Sequence, residues 1–151
     1  MISDKGIQFI EDREGVRLVA YKDVKGIWTI GVGHTGPEVH EGLVWTTEQV
    51  SQALQEDLKE VQDCIYKSVK YPISQNQYDA LCSFIFNVGV GAFNNSTMLK
   101  KINAGDLAGA ANEFDRWNIP PQIVGRRMKE KALLFLMKQI HTQQFIHVRE
   151  R

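Results

Sequence analysis

Cys64 and Cys82 are the only thiols in 151 residues, and neither has a cysteine or histidine companion at metal-ligand spacing. Both fall in stretches with helical apolar spacing, so they read as two buried free thiols. A disulfide is possible only if their helices pack closely, and neither thiol has the companions of a zinc site. No window approaches the ~20 apolar residues of a membrane-spanning helix, so membrane insertion is not expected. Repeats, low-complexity tracts and long linkers are missing too, which excludes solenoids and tethered modules. Charge of one sign is absent overall: 18 Lys and Arg meet 18 Asp and Glu. Without an arginine-rich or aromatic-interleaved patch, nucleic-acid binding has little to rest on. The start, broken by Asp4, Lys5, Glu11, Asp12, Arg13 and Glu14, does not have the basic-then-apolar order of a secretory signal. Accumulation in the cytoplasm is therefore expected.

What is present is an ordinary globular composition, 43% apolar and 24% charged, of one domain's length. The charge is uneven. Residues 38–63 hold seven acids against one base, and residues 122–151 hold seven Lys and Arg against two Glu. The basic final third would attract an anionic wall or nucleic acid weakly and in a salt-sensitive way, or simply form a solvated helix face.

Ser3 can cap a first helix that ends near Gly15. Leu18–Tyr21 and Ile27–Val32 are β-branched or aromatic runs on either side of Asp23-Val24-Lys25-Gly26, which predicts a hairpin. Gly31 and Gly33 allow close backbone approach, to the helix beneath or to a sugar. Thr46-Thr47-Glu48-Gln49 is a capping signal for a long helix to about Val69, with Val50, Leu54, Leu58, Val61 and Ile65 on one stripe. After Pro72, Ser74 opens a helix that becomes almost wholly apolar through Phe86, as the buried centre of a helical lobe does. Further helices are expected near 96–104, 106–114 and 125–139, with Pro120-Pro121 in the last loop.

Against this layout, Glu14, Asp23 and Thr29 form the most informative set, two carboxyls and a hydroxyl within sixteen residues. A helix end followed by an extended segment must fold back, so Glu14 is expected at the floor of a cleft and Asp23 on its wall. Two carboxyls in different environments can divide their roles, one protonated and one ionised. That division serves glycosidic cleavage. Glu14 would donate to the leaving oxygen, and Asp23, with Thr29 holding a water, would assist attack at the anomeric carbon. Taken singly, each residue is more often an unremarkable helix-end or turn residue.

The run from Glu14 to Thr35, E-G-x-x-L-x-A-Y-x-D-x-x-G-x-W-T-I-G-x-G-H-T, resembles the phage-type lysozymes, or endolysins. Gln77–Phe93 followed by Asn95–Leu99, and then Glu113–Trp117, agree in order with the same family. The resemblance implies an α+β fold across 1–151: a small N-terminal hairpin lobe at about 15–45, a helical lobe at about 70–151 that includes the first helix, and a long helix joining them. It implies Glu14 as general acid, Asp23 as second carboxylate and Thr29 as the residue that orients water. The bond cleaved would join N-acetylmuramic acid to N-acetylglucosamine in bacterial peptidoglycan, with inversion. Phe86, Asn87 and Ser96 have counterparts lining the family's cleft. On their own chemistry they also read as core, helix stop and cap.

No metal or organic cofactor is expected, because acid/base groups suffice. The implied partner is peptidoglycan, reached from the host cytoplasm through a holin-like pore supplied by another protein, with the enzyme a monomer. Tyr21 and Trp28 can offer aromatic faces to sugars, and His34 reads as one side of an ion pair. Arg126 or Arg127 could reach Glu14, where a cation would lower its pKa. The segment 118–124 departs from the family pattern, which touches substrate contacts there and not the trio. The rival activities are a lytic transglycosylase, a chitinase-like glycosidase and a silent wall- or nucleic-acid-binding module.

Overall fold

Hydroxyl and amide side chains start the first three helices of this chain. In the computed structural model, which describes residues 1–117, 124–136 and 145–146, α1 runs Asp4–Glu14. The Ser3 hydroxyl accepts from the Gly6 amide at 3.1 Å, satisfying one of the orphan donors of the first turn. At its other end the Gly15 amide donates to the Glu11 carbonyl at 2.8 Å, and the chain turns out of the helix. Strands β1 (Arg17–Lys22), β2 (Trp28–Gly31) and β3 (His34–Thr35) follow. They form an antiparallel sheet in the order β1-β2-β3.

Helix α2 (Thr47–Ser68) opens on a reciprocal cap. The Gln49 amide donates to the Thr46 hydroxyl at 3.2 Å, and the Gln49 side chain accepts from the Thr46 amide at 2.8 Å. Helix α3 (Gln75–Val88) begins with the same device, built from Ser74 and Gln77. The remaining described helices are α4 (Val90–Asn94), α5 (Thr97–Asn103), α6 (Leu107–Glu113) and α7 (Val124–Leu136), with a 3-10 turn at Phe114–Trp117. None of the described helices is long and apolar enough to cross a membrane.

The contacts divide the chain into two compact units, Gln8–Lys59 and Met1–Ile7 with Glu60–Arg151, so the boundary falls within both α1 and α2. The first helix, expected with the helical lobe, contributes only its first turn there; Gln8–Glu14 group with the sheet. In the sheet unit the core is Ile10, Ile30, Val32, Val39, Val50, Leu54 and Leu58. In the helical unit every residue of α3 from Gln77 to Ile85 is buried. Phe84 is the hub of an aromatic cluster there, edge-on to Phe114 at 5.1 Å, Trp117 at 5.4 Å and Phe93 at 6.5 Å. Each such pair adds ~0.5–1.5 kcal/mol beyond the area it buries.

The fold is α+β, as expected. Cys64 and Cys82 are both buried and neither is in a disulfide, and burial raises the Cys64 thiol pKa above its ordinary value. The sequence reading gave no sign of α4, of β3, or of a two-stranded pair in which β4 (Ile73–Ser74) lies antiparallel to β5 (Phe145–Ile146). Two-residue strands are too short to carry an alternation of polar and apolar residues. The Pro120-Pro121 loop, the departure at 118–123 and the expected helix end at 137–139 lie outside the described residues.

Candidate active site

Asp23 builds the turn on which it sits. Its Oδ1 accepts from the Lys25 amide at 2.8 Å and the Ile27 amide at 2.9 Å. Its main chain adds Asp23 N to Ile27 O and Gly26 N to Asp23 O, both 2.9 Å. An aspartate that hydrogen-bonds its own downstream amides is a standard way to fix a turn. Here both side-chain bonds fall on one oxygen. The half-buried carboxylate is thus held in place by Oδ1, with Oδ2 directed elsewhere.

Thr29 is buried, at 3% exposure. It stands opposite Tyr21 across the β1–β2 ladder, so the two side chains project from the same face of the sheet. Its hydroxyl donates to the Ile27 carbonyl at 2.9 Å. With its one proton committed there, the oxygen can act toward anything else only as an acceptor.

Glu14 ends α1, and its carboxyl lies against the backbone of Gly33. A Cβ at position 33 would come 2.7 Å from Oε1 and 3.3 Å from Cδ of Glu14, and Gly33 has a φ of 64°. Only a residue without a side chain both permits this approach and adopts that conformation at little cost. The close approach expected at Gly33 is therefore to the helix, and the Gly31 approach is to the Trp45 ring.

Tyr21 ties the two carboxylates to one location. Its phenol pKa is raised above the ordinary value of 10. Burial is the main cause, the Arg17 guanidinium opposes it, and Glu14 and Asp23 both add to the rise. Both carboxylates therefore lie near this one phenol, and with Thr29 all four residues belong to the unit Gln8–Lys59. Arg17 stacks over the Tyr21 ring at 4.6 Å, and Lys22 lies over the Trp28 ring at 5.3 Å. Tyr21 was weighed from sequence only as a sugar platform.

His34 sits in the ion pair that its sequence context suggested: Nδ1 is 2.7 Å from Asp57 Oδ2, and Nε2 is 3.2 Å from Glu38 Oε1. Burial pulls its pKa down, but the hydrogen bonds and charges of Asp57 and Glu38 outweigh that, and the net direction is up. In the helical unit, Phe86 is half-buried and Asn87 is exposed at the end of α3. The Asn87 Oδ1 accepts from Arg127 Nη2, which leaves the amide's N–H groups as its outward function. Ser96 is buried and caps α5. Its hydroxyl accepts from Leu99 N at 3.1 Å and donates to Phe93 O at 2.6 Å, so of the two readings of this residue the geometry displays the cap. Among the described residues no group of three His, Cys, Asp or Glu side chains is placed to hold a metal ion.

Comparison with known proteins adds an independent line. Residues 11–130 match the family model of phage lysozyme. The endolysin of Salmonella phage P22 is 46% identical over 140 residues, covering 87% of this chain and 96% of that one. A crystal structure of a P22 lysozyme mutant superposes with a TM-score of 0.77 at 44% identity, covering 89% of this chain and 97% of the other. The muramidase domain of SpmX from Asticaccaulis excentricus superposes with a TM-score of 0.81 at 36% identity, with the same coverage.

Proposed function

The chain belongs to the phage lysozyme family, a peptidoglycan-hydrolysing glycosidase by that membership, and on this premise we propose that Glu14, Asp23 and Thr29 carry out the hydrolysis. The geometry that supports this most directly is the Glu14 carboxyl held against Gly33, with Asp23 fixed in the β1–β2 turn and the buried Thr29 opposite Tyr21 on the sheet. In the proposed reaction the protonated Glu14 carboxyl gives its proton to the glycosidic oxygen as the bond to the anomeric carbon breaks. A water on the opposite face attacks that carbon. Thr29 Oγ1 can only accept from this water, and Asp23 Oδ2 takes its other proton as the new C–O bond forms, so the lone pair points at carbon. Each proton transfer contributes ~10²–10⁴-fold. A water placed between base and anomeric carbon gives inversion.

Phe86 and Asn87 are proposed to meet the sugar, Phe86 through its ring and Asn87 through N–H donors held outward by Arg127. Ser96 would act only by fixing the start of α5. Access to the wall from the host cytoplasm is proposed to need a holin-like pore. That route is checked by whether cells expressing this chain lyse only when such a pore is co-expressed.

The decisive experiment is product analysis on purified peptidoglycan with the wild type and Glu14→Gln. New reducing ends at N-acetylmuramic acid, first released as the α anomer and absent for Glu14→Gln, are the expected result. Anhydro-sugar ends would instead identify a lytic transglycosylase, and a β product would identify a retaining route.

A further inference from the structure

On the sheet unit, α2 and the strand end at His34 border an open pocket of about 270 Å³ to which the proposed mechanism gives no role. Its wall includes His34, Glu38, Trp45, Gln49, Gln52 and Glu56. The Trp45 ring is held against bare backbone, since a Cβ at Gly31 would sit 3.2 Å from its Cζ3. It also packs on the His34 ring, with centroids 5.3 Å apart. The Gln49 side-chain oxygen is committed to the Thr46 amide. The acceptors left to face a ligand are the Glu38 oxygen not paired with His34, the carboxylate of Glu56 and the carbonyl of Gln52.

The charge balance decides what kind of ligand fits. Glu38 and Asp57 pair with the His34 imidazole, and Glu56 adds a third carboxylate to the pocket wall. The cluster therefore carries −2 with His34 protonated and −3 with it neutral. No Lys or Arg lines the cavity, and residues 38–59 hold five acids against one base. An anion would be repelled. A metal ion lacks a converging donor set among the described residues. A neutral sugar would draw nothing from the charge.

We propose that this cavity binds a primary alkylammonium group, the free amine borne by the short peptides of the wall polymer. Such a group has three N–H donors for Glu38, Glu56 and the Gln52 carbonyl. Its alkyl stem and charge suit the face of Trp45. The inference rests on the peptidoglycan reading above and extends it: the enzyme holds the amine end of a peptide while it cuts the glycan.

The test uses Nα-acetyl-lysine amide and its Nε-acetylated form as probes. In the wild type the Trp45 indole resonance should shift with the free amine, not with the acetylated one, and less as salt rises. Glu56→Gln, an isosteric change at an exposed helix position, should weaken that binding about tenfold. Gln52→Lys, which tethers an ammonium in the cavity, should abolish it. With peptidoglycan as substrate, acetylating the peptide amines should raise the wild-type KM at least threefold without changing kcat, and the KM of Glu56→Gln should be insensitive to acetylation. A Trp45 response that is absent, or equal for both probes or for N-acetylglucosamine, overturns the proposal, as does a KM indifferent to acetylation. Failure of the underlying hydrolase reading has a separate signature, namely no cleavage of peptide-free glycan strands by the wild type.

Discussion

The two compact units use ionised side chains in opposite ways. In the helical unit two glutamates are buried against cations. Glu130, with no exposure, receives Arg126 Nε at 3.2 Å, Arg127 Nη1 at 2.7 Å and the Ser83 hydroxyl. Buried Glu113 likewise pairs with Lys101 at 2.9 Å and Arg116 at 3.4 Å. In the sheet unit Glu14, Asp23 and His34 are only half-buried. A fully buried charge is fixed in its protonation state by its partners, because losing one leaves an uncompensated ion in a low dielectric. General acid/base work needs the reverse, a positioned group that water and substrate can reach. On the roles proposed for Glu14 and Asp23, the buried charge of the helical unit is architecture and the half-buried carboxyls of the sheet unit are reagents.

The largest expected effect attacks the reagent. Glu14→Gln should lower turnover of peptidoglycan by at least ~10²-fold and up to ~10⁴-fold, while stability moves by no more than ~0.5 kcal/mol. Reducing-end release beside a urea melt measures both. The next attacks the architecture. Glu130→Ala leaves two buried guanidinium groups without their shared carboxylate and should cost ~3–5 kcal/mol, read as a lower urea midpoint. Activity per folded molecule should fall less than in Glu14→Gln. If the two variants exchanged these profiles, the division between the units would be wrong.

How much of this was legible in the sequence follows the same division. The hairpin and the capped starts of α2 and α3 were readable because their signals are local: Asp23 with its own turn, Thr46 with Gln49, Ser74 with Gln77. The buried core of α3 was readable from its run of apolar residues. Glu130 was not, since its partners Ser83 and Arg126 lie 47 and 4 residues away, and nothing in a charged stretch separates a buried ion pair from a solvated face. The ammonium cavity was missed for a related reason. Trp45 precedes a helix cap and Glu56 lies on an acidic helix face, and only packing on Gly31 and His34 turns them into a site.

A smaller effect is expected where the units' logic meets backbone geometry. Gly33→Ala would place a methyl 2.7 Å from Glu14 Oε1 at a φ of 64°. The conformational strain is ~1–2 kcal/mol. The carboxyl, as the end of a flexible side chain, moves to relieve the contact. A displacement near 1 Å costs ~10²-fold in rate, so activity should fall more than stability, visible as a lower kcat at a temperature where the variant is fully folded.

The smallest effect is the pH dependence carried by His34. Asp57 and Glu38 favour its protonated form, so its folded pKa lies above the ordinary value of about 6.5. The stabilisation is therefore complete below pH 6.5 and is lost as pH rises through the raised folded value. Since the pair is partly exposed and screened by solvent, it contributes at most ~1 kcal/mol, which is about 2–4 °C in Tm for a chain of this size. Thermal melts of the wild type and His34→Asn at intervals between pH 6 and pH 9 check the sign: the wild-type advantage should be greatest at pH 6 and shrink on the alkaline side. An advantage that grew with pH would mean that burial, rather than the two carboxylates, governs this histidine.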